Sequence, residues 1–253
     1  MNTRAAPSLR VCLLRKEITG MAAKEQNTGV PLALTRLSAS SWFSVGTGEL
    51  VVHFDPGYIG ADPVRGVPEA EFEKKADLVC ISHFHSDHLR PEALRRIMKN
   101  ETLVVSPPGF DNPYGLSHTA LRPGGFLEHR GVAVKAVYAC NTPQGHSTVK
   151  LHRRGENNGY LLLAGGRRVY FAGDTDCIPD MAGLGGVDIA LLPIGGTYVM
   201  DAGEAAEAVS LIRPQIVVPM HQSSADMEGF KRAVEASSPA RVMVLQVGEK
   251  VVF

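Results

Sequence analysis

The segment His83-Phe84-His85-Ser86-Asp87-His88 constrains this chain more than any other. It follows Ala76-Asp77-Leu78-Val79-Cys80-Ile81, a short, nearly continuous apolar run of the kind that forms a strand buried on both faces. Three imidazoles and a carboxylate at the end of a buried strand gain nothing from core packing, because such groups are costly to bury unless paired. As metal ligands their spacing has a reason. On an extended segment, residues two apart point the same way, so His83 and His85 can converge on one ion. Asp87 and His88 are adjacent, and both reach a neighbouring ion only if the chain turns there. Imidazole with carboxylate suits zinc, with manganese or iron as further candidates.

Short apolar runs broken by turn residues surround this cluster. Residues 32–37, 42–45 and 50–54 read as strands, with Gly46-Thr47-Gly48 as a hairpin turn and Asp55-Pro56-Gly57 as a strand end. Residues 61–75 are largely polar, a loop with a helical turn over 68–74. A helix is predicted over 91–99, where Pro91 suits the first turn and Ala93, Leu94, Ile97 and Met98 share one side. Residues 103–106 and 132–138 return as strands. In the second half, 160–163 and 168–171 flank the turn Gly165-Gly166. Further strands are expected at 187–193, 215–219, 241–247 and 250–253, with helices at 202–212 and 227–236. Strands lead each half and helices interleave, which predicts an α/β protein, an αββα sandwich of two mixed sheets with helices on the outer faces. No Gly/Ser-rich or Pro-rich linker divides the chain. One domain over residues 29–253 is therefore expected, after a flexible tail over residues 1–28.

Composition narrows the partners. The chain has 253 residues, 44% of them hydrophobic, enough to bury a sizeable core. Lys+Arg and Asp+Glu both number 26, so no charge excess favours nucleic acid or an anionic membrane. No apolar run approaches the roughly 18 residues that span a bilayer. Cys12, Cys80, Cys140 and Cys177 are scattered and form no disulfide framework, which points to a reducing, cytoplasmic setting. Arg4, Arg10, Arg15 and Lys16 precede the first acidic residue, Glu17, so an organelle-targeting segment competes with a plain tail or a start at Met21. The expected partners are a small-molecule substrate and, in a homo-oligomer, further copies of the chain.

The motif H-x-H-x-D-H after a buried strand resembles the signature of the metallo-β-lactamase superfamily, and the resemblance runs over residues 32–253. It implies three further ligands. Gly173-Asp174-Thr175 matches the strand-terminal aspartate that bridges two metals in that family. His221, closing Val217-Val218-Pro219-Met220, matches the late histidine. The histidine between the halves is His152 or His146, both in the polar stretch 141–158. His152 is favoured, since its separation from Asp174 fits one hairpin. The run His152-Arg153-Arg154-Gly155-Glu156, the segment Phe171-Ala172-Gly173-Asp174-Thr175-Asp176 and the loop Leu192-Pro193-Ile194-Gly195-Gly196-Thr197-Tyr198 are similar to the L-ascorbate-6-phosphate lactonase-like branch. Many relatives have Gly-His-Ala-Ser near the first strands. Here the chain reads Leu37-Ser38-Ala39-Ser40-Ser41-Trp42, which puts a substrate like the lactonase prototype's in doubt.

The resemblance implies one metal on His83, His85 and His152 and a second on Asp87, His88 and His221, with Asp174 bridging. Two ions roughly 3.5–4 Å apart can share a water, lower its pKa and polarise a substrate oxygen. A hydrolase using a metal-bridged hydroxide on a small-molecule ester, lactone or phosphodiester is expected. Asp87 and Asp174 are the candidate catalytic groups, Asp55 a partner for a ligating imidazole, and Tyr198 a substrate contact. His53, His118 and His129 are read as non-ligands, the first in a strand and the others in polar loops, and Cys177 as a small buried thiol. The stretch between Asp174 and His221 is too short for the inserted domain of the RNA-processing branch. A mono-iron thiol dioxygenase of the same fold and a non-catalytic metal-binding module are the alternatives. The flavin-coupled di-iron branch carries Glu where this chain has His85.

Overall fold

Strand 78–80 shows how the layers arise. Leu78 and Cys80 point into one apolar cluster and Val79 into another, so this strand is buried on both faces, as its composition predicts. The computed structural model describes residues 30–48, 50–60 and 67–253, and the tail expected over residues 1–28 lies outside them. The first sheet contains β1 (Leu32–Arg36), β2 (Phe43–Thr47), β3 (Leu50–Phe54), β4 (Leu78–Cys80), β5 (Leu103–Ser106), β6 (Ser117–Ala120) and β14 (Lys250–Val252). The second contains β7 (Phe126–His129), β8 (Val132–Ala139), β9 (Asn157–Ala164), β10 (Arg167–Phe171), β11 (Ile189–Pro193), β12 (Ile216–Met220) and β13 (Arg241–Val242). Their orders are β14-β1-β2-β3-β4-β5-β6 and β13-β12-β11-β10-β9-β8-β7.

The two sheets are built alike. In each, a run of antiparallel pairs gives way to parallel ones, at β3 in the first and at β10 in the second. Between them lies the main core, where Phe54 and Phe171 stack at 4.7 Å. Burying an aromatic pair removes a large apolar area from water, and the contact is worth about 0.5–1.5 kcal/mol beyond that area. On the outer face of the first sheet, Val79, Ile81 and Val104 meet Phe72 of α1 (Ala70–Glu73) and Leu94 and Ile97 of α2 (Pro91–Ile97). Over the second sheet lie α3 (Ala202–Ile212) and α4 (Met227–Ser237), which bury Ala205, Val209, Phe230 and Val234. Asp201 and Asp226 cap these helices by accepting the amides of Glu204 and Gly229 at 2.8 Å. This is the αββα sandwich expected. Among the described residues no helix is long and apolar enough to cross a membrane.

Three local expectations are corrected. Gly46 and Thr47 belong to β2, paired with Val51 and Leu50, so the turn begins only at Gly48. His118 and His129 lie on β6 and β7 rather than in loops; both strands are largely exposed and carry no apolar alternation to announce them. The strand expected over 241–247 keeps its ladder only at Arg241 and Val242. From there the chain leaves the second sheet and crosses to the first, where β14 pairs with β1.

Candidate metal centre

All the ligand candidates except His146 meet at one edge of the sandwich. Asp55 follows β3, residues 83–88 follow β4, Asp174 follows β10 and His221 follows β12, each beyond the carboxyl end of a strand with a parallel neighbour. Open α/β sheets bind ligands at such ends. His152 comes from the connection between β8 and β9. Asp55 and His221 adopt left-handed backbone angles, φ 44° and 46°, which cost a non-glycine residue about 1–3 kcal/mol. The turn needed at Asp87-His88 is present, closed by the His88 amide donating to the His85 carbonyl at 2.9 Å. Gly57 packs against it so closely that a Cβ would lie 2.4 Å from the His88 nitrogen. Gly173, at φ 64°, sets the bend that delivers Asp174.

Hydrogen bonds orient the imidazoles. The Asp55 carboxylate accepts from the Ser82 amide and hydroxyl, each at 2.6 Å, and from His88 Nδ1 at 2.7 Å. Since the Ser82 hydroxyl hydrogen goes to Asp55, Ser82 Oγ must accept from His83 Nδ1, 2.9 Å away. His152 Nδ1 faces only acceptors, Asn141 Oδ1 at 3.1 Å and the Tyr198 carbonyl at 3.2 Å. In all three rings Nδ1 therefore carries a hydrogen, which leaves Nε2 as the free ligand atom. His83 Nε2 lies 3.0 Å from His85 Nδ1.

Two triads result. His83, His85 and His152 offer three ligand atoms within 4.8 Å of one another, and so do Asp87, His88 and His221. Asp174 is buried between them. Its Oδ1 lies 3.2 Å from His88 Nε2, and its Oδ2 lies 3.5 Å from His152 Nε2 and 3.7 Å from His221 Nε2. His221 Nε2 also lies 3.0 Å from Asp87 Oδ2. Asp55, His83 and His88 form a third close group, but the Asp55 oxygens are already engaged by three donors.

The electrostatics call for a cation. His88 Nε2, His152 Nε2 and Asp174 Oδ1 are buried without a hydrogen-bond partner. Among the described residues no Lys or Arg pairs with Asp55, Asp87 or Asp174; their partners are histidines. Burial holds His83 well below the usual histidine range, and it lowers His152. Burial also opposes a charge on His88 and His221. There the carboxylates outweigh it, Asp174 and Asp55 for His88 and Asp174 and Asp87 for His221, and both rings are raised. Burial would raise Asp174 and Asp87, but His88 and His221 hold both below the ordinary carboxylate range. Unpartnered imidazole nitrogens around buried carboxylates fit divalent metal ions.

The other sequence candidates fall into place around the triads. His146 stands apart, 46% exposed and paired with Asp201 at 3.1 Å, so the histidine that joins His83 and His85 is His152. Tyr198 exposes its side chain beside the centre while its carbonyl orients His152. Cys177 is half-buried, its amide donating to Glu204, and belongs to neither triad. Ser82 and Asn141 also orient ligands, which the sequence does not announce. Ser82 adjoins the motif, but Asn141 contacts His152 across a loop and carries no local signal.

Two mixed sheets with His/Asp triads at their shared edge define a metal-dependent hydrolase of the metallo-β-lactamase fold. Comparison with known proteins adds the family. The model of the β-lactamase superfamily domain matches residues 33–221, and the chain belongs to that family. A UPF0173 metal-dependent hydrolase of Thermoplasma acidophilum is 37% identical over 197 residues, covering 73% of this chain and 83% of the relative. The structure of Igni18, a metallo hydrolase of Ignicoccus hospitalis, superposes with a TM-score of 0.71 at 29% identity, covering 88% of this chain and 98% of that one. The metallo-β-lactamase fold protein YhfI of Bacillus subtilis, at 11% identity, shares the fold with a TM-score of 0.66, covering 88% and 100%.

Proposed function

We propose that the chain holds two divalent ions, one on His83, His85 and His152 and one on Asp87, His88 and His221, with Asp174 between them, and hydrolyses a small-molecule ester, lactone or phosphodiester. The observation that carries this is the pairing of two complete triads around one buried carboxylate within reach of both. Bound there, the ions would lower the pKa of a water towards neutrality and polarise the substrate oxygen. The histidine-rich donor set favours zinc, with manganese or iron as substitutes.

The chain's own residues supply the rest. Asp55, Ser82 and Asn141 hold His88, His83 and His152 with Nε2 exposed to the centre. Asp87 is the partly exposed carboxylate of the cluster, which makes it the candidate to orient water. Burial of His83, His88, His152 and Asp174 limits water to the side of Asp87, His85 and Tyr198. A small-molecule substrate remains the partner proposed, and a cytoplasmic location the setting.

The test is metal analysis of the purified chain with a screen of lactones, phosphodiesters, thioesters and β-lactams. Two equivalents of metal per chain and metal-dependent hydrolysis are expected. A single iron with thiol-dependent oxygen uptake would replace this proposal with the dioxygenase reading.

A further inference from the structure

Arg36 is buried to 1% exposure at the carboxyl end of β1. Its guanidinium donates to the carbonyls of Ser38, Leu245 and Ala39 at 3.0, 2.9 and 2.8 Å, and to Gln222 Oε1. All four acceptors are neutral. Among the described residues no carboxylate reaches it, and burial alone brings its pKa down to about 10, so the charge persists at neutral pH. An ionised group taken out of water without a counter-charge is costly to bury. Backbone carbonyls satisfy its hydrogen bonds but leave the charge uncompensated.

That charge stands behind a cavity. Three of the four acceptors, Ser38, Ala39 and Gln222, line a space of about 360 Å³ that adjoins the metal centre at His221 and runs past Tyr198. Among the described residues no Asp, Glu, Lys or Arg lines it. Because Gln222 Oε1 accepts from Arg36, the orientation of its amide is fixed. Its Nε2 hydrogens have no acceptor among the described residues. An unused amide donor on the wall, with a positive charge one residue behind it, is complementary to an anion.

We propose that this cavity receives an anionic end of the substrate, a carboxylate or a phosphate, bound by Gln222 Nε2, with Arg36 as the positioning residue that fixes the amide and supplies the counter-charge. The proposal deepens the hydrolase reading above and rests on it. The scissile group lies at the metal centre and the anion on the far side of His221, so selectivity resides in substrate binding and appears in KM.

The test uses the zinc-loaded full chain and two esters with the same scissile bond, 4-nitrophenyl hemisuccinate and 4-nitrophenyl butyrate, whose acyl chains differ by a terminal carboxylate. A preference of about tenfold or more for the hemisuccinate, expressed in KM, is expected for one charge-assisted hydrogen bond. Gln222→Glu should abolish or invert that ratio, and Arg36→Met should bring it near one, with thermal melting to confirm that each variant folds. A wild-type ratio near one, or a ratio unchanged in Gln222→Glu, overturns the proposal. If neither ester is hydrolysed, the ester reading fails but the anion site is still decided by calorimetry, with monomethyl succinate, methyl phosphate and neutral methyl butyrate as probes. Tighter binding of an anion that Gln222→Glu weakens supports the site, and the tighter of the two anions names its chemistry. Equal binding of charged and neutral probes overturns it. So does anion binding that disappears on chelation of the metal yet is indifferent to Gln222→Glu.

Discussion

The two triads share Asp174 and little else. The first is all imidazole; burial keeps His83 and His152 neutral, and Ser82, Asn141 and the Tyr198 carbonyl hold them. His85, the third member, is exposed and its ring meets those of His83 and His152. The second triad includes a carboxylate and the fully buried His88 tied to Asp55, and the carboxylates around it favour protons on His88 and His221. One triad is thus ready for a cation. The other favours protons in competition with a cation, and its His88 is held by a buried carboxylate outside the ligand set.

Removing what the triads share should have the largest effect. Asp174→Ala is expected to lower hydrolysis by about a thousandfold or more, on the scale of losing a principal electrostatic group, and to reduce bound metal below two equivalents by mass spectrometry. Two retained ions would show that the triads do not need a common carboxylate. Asp55→Asn should act chiefly on the second site, because His88 bonds to Asp55 directly and His83 only through Ser82. Losing the partner of a ligating imidazole typically costs 10–100-fold in affinity, so the affinity of the second site should fall by about that factor while the first keeps its ion. Equal loss at both sites would erase the distinction between them.

Acidity should separate the triads more gently. The surrounding carboxylates raise His88 and His221, so protons compete with a cation there, and filling the second triad should release more protons and weaken sooner as pH falls. Burial lowers His83 and His152, so protons compete less there and filling the first triad should release fewer of them. Zinc titrations in buffers of different ionisation enthalpy measure this directly; identical proton counts for both steps would contradict it. The smallest effect is expected of His146→Ala, which should leave metal content unchanged, because that ring meets Asp201 and not the centre.

The same contrast explains what was legible in the sequence. His83, His85, Asp87 and His88 sit on one short segment after one buried strand, so strand periodicity and a single turn predict their convergence. Asp174 and His221 were recognisable only by resemblance, because strands far apart in sequence bring them to the edge. His152 and His146 share one polar loop, and Asn141 and Tyr198 decide between them through contacts the spacing does not encode. The fold was legible wherever strands were buried on both faces. It failed at β6 and β7, whose polar residues lie half in solvent, and after Val242, where the chain changes sheets without changing its apolar character.

The most direct measurement of the central claim is anomalous diffraction at the zinc edge from crystals of the zinc-loaded chain. Two peaks are predicted about 3.5–4 Å apart, one within bonding distance of His83, His85 and His152 and the other of Asp87, His88 and His221, with Asp174 touching both. A single peak, or a second one away from Asp87, His88 and His221, would contradict the account.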